Sequence, residues 1–132
     1  MDNLIEIENI NQFDEIICNL KEKMVIYFNA PWCKLCHFRV TPKIKELQKK
    51  YKNIKFYTAN IDNIAINKLK EKYHIKYIPT LILFYLDKMD ILRGITIVSN
   101  NPMDIENLLI NAIINTNKKI DILKVNYNLN NK

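Results

Sequence analysis

The sequence predicts an α/β domain: a central mixed β-sheet of about five strands with about four helices over its two faces. Two observations carry that prediction. Apolar runs of strand length alternate with segments of helical period in the order β-α-β-α-β-α-β-β-α. Strands separated by helices return parallel, whereas the short polar link Asp87-Lys88-Met89-Asp90 forces its two strands antiparallel. Length sets the count of domains. The 132 residues suffice for one core and are too few for two, with residues 1–115 read as the domain and 116–132 as an Asn/Lys-rich C-terminal tail.

The elements follow in chain order. Leu4, Ile5 and Ile7 suggest a short first strand. From Asn11 to Lys23 the residues Phe13, Ile16, Ile17 and Leu20 recur at helical spacing, with Asn11 as the cap. Cys18 lies off that stripe, about 100° from Ile17, which predicts a partly exposed thiol. Met24 to Asn29 is a near-continuous apolar run and reads as a central strand buried on both faces. A helix is predicted from about Cys33 to Tyr51, with Phe38, Ile44, Leu47 and Tyr51 inward and a kink at Pro42, which lacks a helical N–H. Ile54 to Asn60 alternates as a strand, and Asp62 to Tyr73 is a helix facing inward through Ile66, Leu69 and Tyr73. Leu81 to Leu86 and Ile91 to Val98 are the last two strands, the second at an edge. Asn101-Pro102 opens a final helix carrying Ile105, Leu108, Leu109, Ala112 and Ile113, proline being well suited to a first turn. After Asn115 the chain reads as a fraying tail in which Ile120, Ile122, Leu123 and Val125 are the residues able to dock.

Charge and cysteine count narrow the function classes. Twenty Lys and Arg against 14 Asp and Glu give a formal charge of +6. The lysines are dispersed, with no arginine-rich stripe and no interleaving of aromatic and basic residues, so nucleic acid is not an expected partner. A mildly basic surface favours acidic protein partners instead. The longest apolar stretch, Ile75 to Leu86, is broken by Lys76, Pro79 and Thr80 and is too short for a bilayer. The N-terminus does not read as a secretory signal. Three cysteines, an odd number, make a structural disulfide framework a poor reading. The expected setting is reducing and cytoplasmic.

The chemistry concentrates in Ala30-Pro31-Trp32-Cys33-Lys34-Leu35-Cys36-His37, directly after the buried strand. Two thiols three positions apart on a first helical turn can close on one another, and a helix N-terminus favours negative charge on the outer sulfur. That describes a reversible dithiol switch. Three other readings exist for the same residues. Cys33-Lys34-Leu35-Cys36-His37 also spells a c-type haem attachment motif, against which the preceding strand, Trp32 and Pro79 argue. Cys33, Cys36 and His37 could bind a metal only with a borrowed fourth ligand. The pair could also be idle, with the domain serving to bind proteins.

Taken together, Ala30-Pro31-Trp32-Cys33 with Cys36 and the segment Tyr77-Ile78-Pro79-Thr80-Leu81 resemble the thioredoxin family, with Pro79 lying 79 − 33 = 46 positions after Cys33. Asn60-Ile61-Asp62 also matches the end of that family's third strand, and the resemblance covers residues 4–114. It implies the thioredoxin fold and a protein-disulfide reductase working by dithiol–disulfide exchange. Cys33 would attack, Cys36 would resolve, and Trp32, Ile78 and a cis Pro79 would hold an extended substrate segment. Disulfide-containing proteins would be the substrates, with an external reductase or glutathione restoring the dithiol. No cofactor or metal is implied.

Four departures from the family pattern are legible. Lys34-Leu35 replaces Gly-Pro between the cysteines, placing a cation beside Cys33. Tyr27 stands where the family often has a buried acid, and a phenol is a poor base at neutrality; His37 is the nearby group able to replace it. Pro42 falls one position later than the family's kink proline. The glycine expected near the site after the fifth strand is replaced by Thr96 or Ile97.

Overall fold

The computed structural model of the protein describes residues 3–130, with side chains described through Thr116. The elements are β1 (Ile5–Glu6), α1 (Ile10–Cys18), β2 (Met24–Asn29), a π-helical turn (Cys36–Val40), α2 (Thr41–Lys50), β3 (Lys55–Asn60), a 3-10 turn (Ile64–Ile66), α3 (Asn67–Lys72), β4 (Thr80–Leu86), β5 (Leu92–Val98) and α4 (Pro102–Asn130). The five strands form one sheet in the order β1-β3-β2-β4-β5. β1, β3 and β2 are parallel, while β4 runs antiparallel to both β2 and β5. This is the α/β architecture expected, a five-stranded mixed sheet with four helices.

β2 sits at the centre because every side chain from Met24 to Phe28 is apolar and buried. Successive side chains on a strand point to opposite faces, and the two sides of the core follow that parity. Val25 and Tyr27 pack with Ile44 and Leu47 of α2, Ile105 and Leu109 of α4, and both Cys33 and Cys36. Met24, Ile26 and Phe28 pack on the other face with Phe13 of α1 and with Ile66 and Leu69 below the third strand. On that second face Phe13, Tyr73 and Phe84 form an edge-to-face ring cluster, with centroids 5.1–6.0 Å apart, the favoured aromatic geometry.

Several boundaries differ from expectation for identifiable reasons. α1 starts at Ile10, capped by Asn9, whose side chain accepts from the Gln12 N–H, so Asn9 rather than Asn11 is the cap. It ends at Cys18, and 19–23 form the link into β2. The long helix predicted from Cys33 to Tyr51 is split by the π-helical turn. Within it Phe38 does not face inward; it is 79% exposed. The π-helical turn changes the angular step between Phe38 and Ile44, and Cys36 and Val40 fill the core instead. The helix predicted over Asp62 to Tyr73 is a 3-10 turn followed by one short α-helix. The backbone of α4 does not fray after Asn115 but continues as helix to Asn130. The docking expected of Ile120, Ile122, Leu123 and Val125 lies outside the described side chains.

α4 is fastened to α2 by a charged cluster. The Glu106 carboxylate accepts from Lys43 Nζ at 2.6 Å and from Lys50 Nζ at 2.6 Å, and Lys43 also reaches Glu46 at 3.0 Å. The two ammonium groups hold the Glu106 carboxyl below its ordinary range. A lowered carboxyl contributes stability above its unfolded-state value that is lost as pH falls through the folded-state value. Glu106→Gln is therefore expected to lower the urea midpoint at pH 7 and to shrink the loss of stability between about pH 5 and pH 3. An acid limb identical to that of the unchanged protein would refute the assignment.

Candidate active site

The site lies where β2 and β3 end and β4 begins. Pairing of Phe28 with Thr80 sets the start of β4 against the end of β2. Pro79 thus lies at the same end of the sheet as the segment that carries Cys33 out of β2. The Ile78–Pro79 peptide is cis, Pro79 is buried and Ile78 packs against the cluster containing both cysteines. The Thr80 hydroxyl donates to the Tyr77 carbonyl, tying this segment to itself.

Cys33 and Cys36 are joined as a disulfide, their Cα atoms 5.3 Å apart. The chain after β2 turns through a hydrogen bond from the Cys33 N–H to the Ala30 carbonyl at 3.1 Å, and the His37 N–H donates to the Cys33 carbonyl at 3.2 Å. The two sulfurs are not equivalent. Cys33 retains 9% of its surface whereas Cys36 has none. The Cys36 N–H donates to Cys33 Sγ at 3.2 Å, an arrangement that stabilises negative charge on that sulfur once the bond is opened.

The side chains around the pair are ordered by specific bonds. Trp32 Nε1 donates to Asp62 Oδ1 at 3.3 Å, which links the segment after β2 to that after β3. Asn60 Oδ1 accepts from the Asp62 N–H at 3.0 Å and shapes that second segment. His37 Nε2 lies 3.0 Å from the Pro31 carbonyl. A carbonyl only accepts, so Nε2 carries the proton and His37 acts here as a clasp across the redox turn. Lys34 and Leu35 point outward between the cysteines. Among the described residues no group of three or more His, Cys, Asp or Glu side chains is placed to hold a metal ion.

Tyr27 lies beneath the pair, 1% exposed. Its hydroxyl donates to the Cys36 carbonyl at 3.2 Å and is 3.0 Å from Thr41 Oγ1. That carbonyl also accepts the Thr41 N–H, five residues on, which is the bond defining the π-helical turn. One extra residue per turn is what the later position of Pro42 requires, and Pro42 then sits in the first turn of α2, where no N–H is needed. Burial raises the Tyr27 phenol above its ordinary value, against a smaller lowering by Thr41. Tyr27 is therefore a hydrogen-bond donor at neutral pH and not a base.

Two residues near the site were not legible beforehand. Thr41, the hydroxyl partner of Tyr27, gave no periodic or motif signal. Val98, and not Thr96 or Ile97, pairs with Thr80 at the rim of the site, because β5 runs one residue further toward it. Cys18 is an exposed free thiol on the far side of the sequence motif.

A mixed sheet that presents a buried–exposed cysteine pair beside a cis proline defines a class, the dithiol–disulfide domains. The chain belongs to the thioredoxin family, whose family model, Thioredoxin, matches residues 4–101. Among its relatives, mitochondrial thioredoxin O1 of Arabidopsis thaliana is 40% identical over 60 residues, spanning 46% of this chain and 30% of that protein. The chloroplastic M-type thioredoxin of Pisum sativum is 34% identical over 83 residues, spanning 62% of this chain and 46% of that protein. The chain thus spans less than half the length of these two curated relatives. The crystal structure of oxidised thioredoxin O1 from Arabidopsis thaliana superposes with a TM-score of 0.67 at 27% identity, covering 80% of this chain and 94% of that one. Oxidised mitochondrial thioredoxin 3 from Saccharomyces cerevisiae gives a TM-score of 0.65 at 25% identity, covering 79% and 91%.

Removing the Tyr27 hydroxyl tests its structural role. Tyr27→Phe strips Thr41 Oγ1 of its partner and is expected to cost about 0.5–1.5 kcal/mol. A phenol raised in the folded state leaves stability unchanged below pH 10 and lowers it above, because the unfolded chain ionises first. The substitution should accordingly flatten the fall in urea midpoint between about pH 10 and pH 11. An unchanged alkaline limb would show that other buried tyrosines account for it.

Proposed function

We propose that this protein is a thiol–disulfide oxidoreductase, a protein-disulfide reductase whose electrons are carried by Cys33 and Cys36. The observation that supports this most directly is the asymmetry of the pair: Cys33 keeps some exposed surface, Cys36 keeps none, and the two are joined as a disulfide. In the reduced protein the Cys33 thiolate attacks one sulfur of a substrate disulfide. The other substrate sulfur leaves as a thiolate and is protonated, and a mixed disulfide remains. Cys36, as its thiolate, then attacks Cys33 Sγ and expels the second substrate sulfur, which is also protonated. The substrate gains two electrons and two protons, and the protein is left with the closed Cys33–Cys36 bond. Because both electrons reside on sulfur, the cycle needs no bound cofactor.

Within this reading Trp32, Ile78 and Pro79 hold the extended substrate segment. Lys34 supports negative charge on Cys33, and His37 holds the turn. Disulfide-bearing proteins are the substrates, and an external reductase or glutathione returns the dithiol. The compartment is argued from the reaction, since reduction needs an electron-supplying pool. A cytoplasmic setting meets that need, and so do organelles such as those named for the mitochondrial and chloroplastic relatives. Among the described residues no helix is long and apolar enough to cross a membrane.

Two measurements test the proposal. Equilibration in graded dithiothreitol buffers, read by thiol-labelling mass shift, should give a reversible two-electron transition at or below about −230 mV. A transition between about −180 and −120 mV would make the protein an oxidant or isomerase, and the absence of a reversible bond would leave a protein-binding domain. Cys36→Ser should accumulate Cys33-linked mixed disulfides that dithiothreitol releases, whereas Cys33→Ser should accumulate none. Equal trapping by the two variants would overturn the division into attacking and resolving thiols.

A further inference from the structure

The rim of the redox pair carries more positive than negative charge. From Ala30 to Arg39 and from Lys76 to Ile82, two of the segments that form the site, the charged residues are Lys34, Arg39 and Lys76, with His37 among them. All four are exposed. Against these three cations stands the exposed carboxylate of Asp62, which accepts from the neutral Trp32 indole N–H. Glu8 follows β1 at one edge of the sheet, where Asn63 Nδ2 donates to its carbonyl at 2.9 Å, and Asp104, in the first turn of α4 beyond β5, lines a shallow recess with Val98. Of the cations, Lys34 stands between the two cysteines in the chain.

The same rim is unusually apolar between its charges. Trp32 is 64% exposed and Tyr77 70%, and Leu35 and Phe38 also face solvent. Large apolar side chains left open around a reactive centre mark a contact surface. Leu35 lies between the cysteines in the chain and Phe38 two residues beyond the second, and both are exposed.

We propose that this rim selects its substrates by charge: the disulfides reduced best lie in acidic segments that also present an apolar side chain to Leu35 or Phe38. This deepens the reductase reading above and rests on it. Lys34, Arg39 and Lys76 attract a carboxylate-flanked disulfide before contact and repel a lysine-flanked one, which acts mainly on the association rate. The apolar side chains then hold the segment while exchange proceeds.

The test uses the reduced full-length chain with two synthetic disulfide-closed peptides identical except for flanking residues, Glu in one and Lys in the other. A small neutral disulfide, hydroxyethyl disulfide, serves as reference. At an ionic strength of about 20 mM the Glu peptide should react about fivefold or more faster than the Lys peptide. The ratio should fall toward one at about 0.5 M, where screening is effective over a few ångströms. The double substitution Arg39→Glu, Lys76→Glu should lower or reverse the ratio, with each rate normalised to the neutral disulfide. Equal rates for the two peptides, a faster Lys peptide, or a preference indifferent to salt would each overturn the inference. Failure to reduce the neutral disulfide as well would instead strike the reductase reading itself, so the two failures are separable.

Discussion

β2 is a strand that has no face to spare. With Met24 to Phe28 buried on alternate sides and both edges paired, it is held in register by β3 on one side and β4 on the other. A one-residue slip would move each side chain to the opposite face, transferring Tyr27 out of the layer that contains the cysteines. The same register brings Thr80 opposite Phe28 and so delivers the cis proline segment to the point where the chain leaves β2 toward Cys33. The chemistry at the surface is thus positioned by packing in the sheet's middle. The polar contacts around the thiols refine that placement without creating it.

Beneath the pair, the replacement of an acid by Tyr27 and the displacement of Pro42 are parts of one arrangement. The π-helical turn from Cys36 to Val40 accommodates the additional residue before Pro42 and directs the Cys36 carbonyl toward both the Thr41 N–H and the Tyr27 hydroxyl. An ionised carboxylate at position 27 would have no donor to offer that carbonyl. A phenol supplies a donor to the carbonyl and fills the layer with an apolar ring. The cost is chemical: a phenol kept protonated by burial supplies no base at this position beneath the cysteines.

The fold was legible because its strongest signals are long and periodic. β2, β4 and the helices carrying Ile44, Leu47, Ile105 and Leu109 announce themselves through apolar runs and spacing, and tertiary packing agrees with them. The cysteine pair and Pro79 were legible because their residue types at that separation are few. What escaped depended on local geometry that periodicity does not encode. The position of Phe38 was lost to a helical phase that the core settles through Cys36 and Val40. Asn9 caps α1 ahead of Asn11 by a single side-chain bond. Thr41 became part of the site only because the π-helical turn folds its hydroxyl back to Tyr27. Val98 reached the rim through the exact pairing of β5, which no feature of its own sequence specifies.

These two levels meet at the cysteines. The proposed exchange asks for an outer cysteine that another protein can touch and an inner one that it cannot. The sheet supplies the burial of Cys36 through Tyr27 and the helices packed on it, and the segment after β2 supplies the partial exposure of Cys33. His37 and Trp32 brace that segment from opposite sides, one bonding to the Pro31 carbonyl and the other to Asp62. Both braces end on groups outside the Lys34-Leu35 dipeptide. The exposed side chains between the cysteines take part in neither bond, which leaves them to the recognition proposed for this rim.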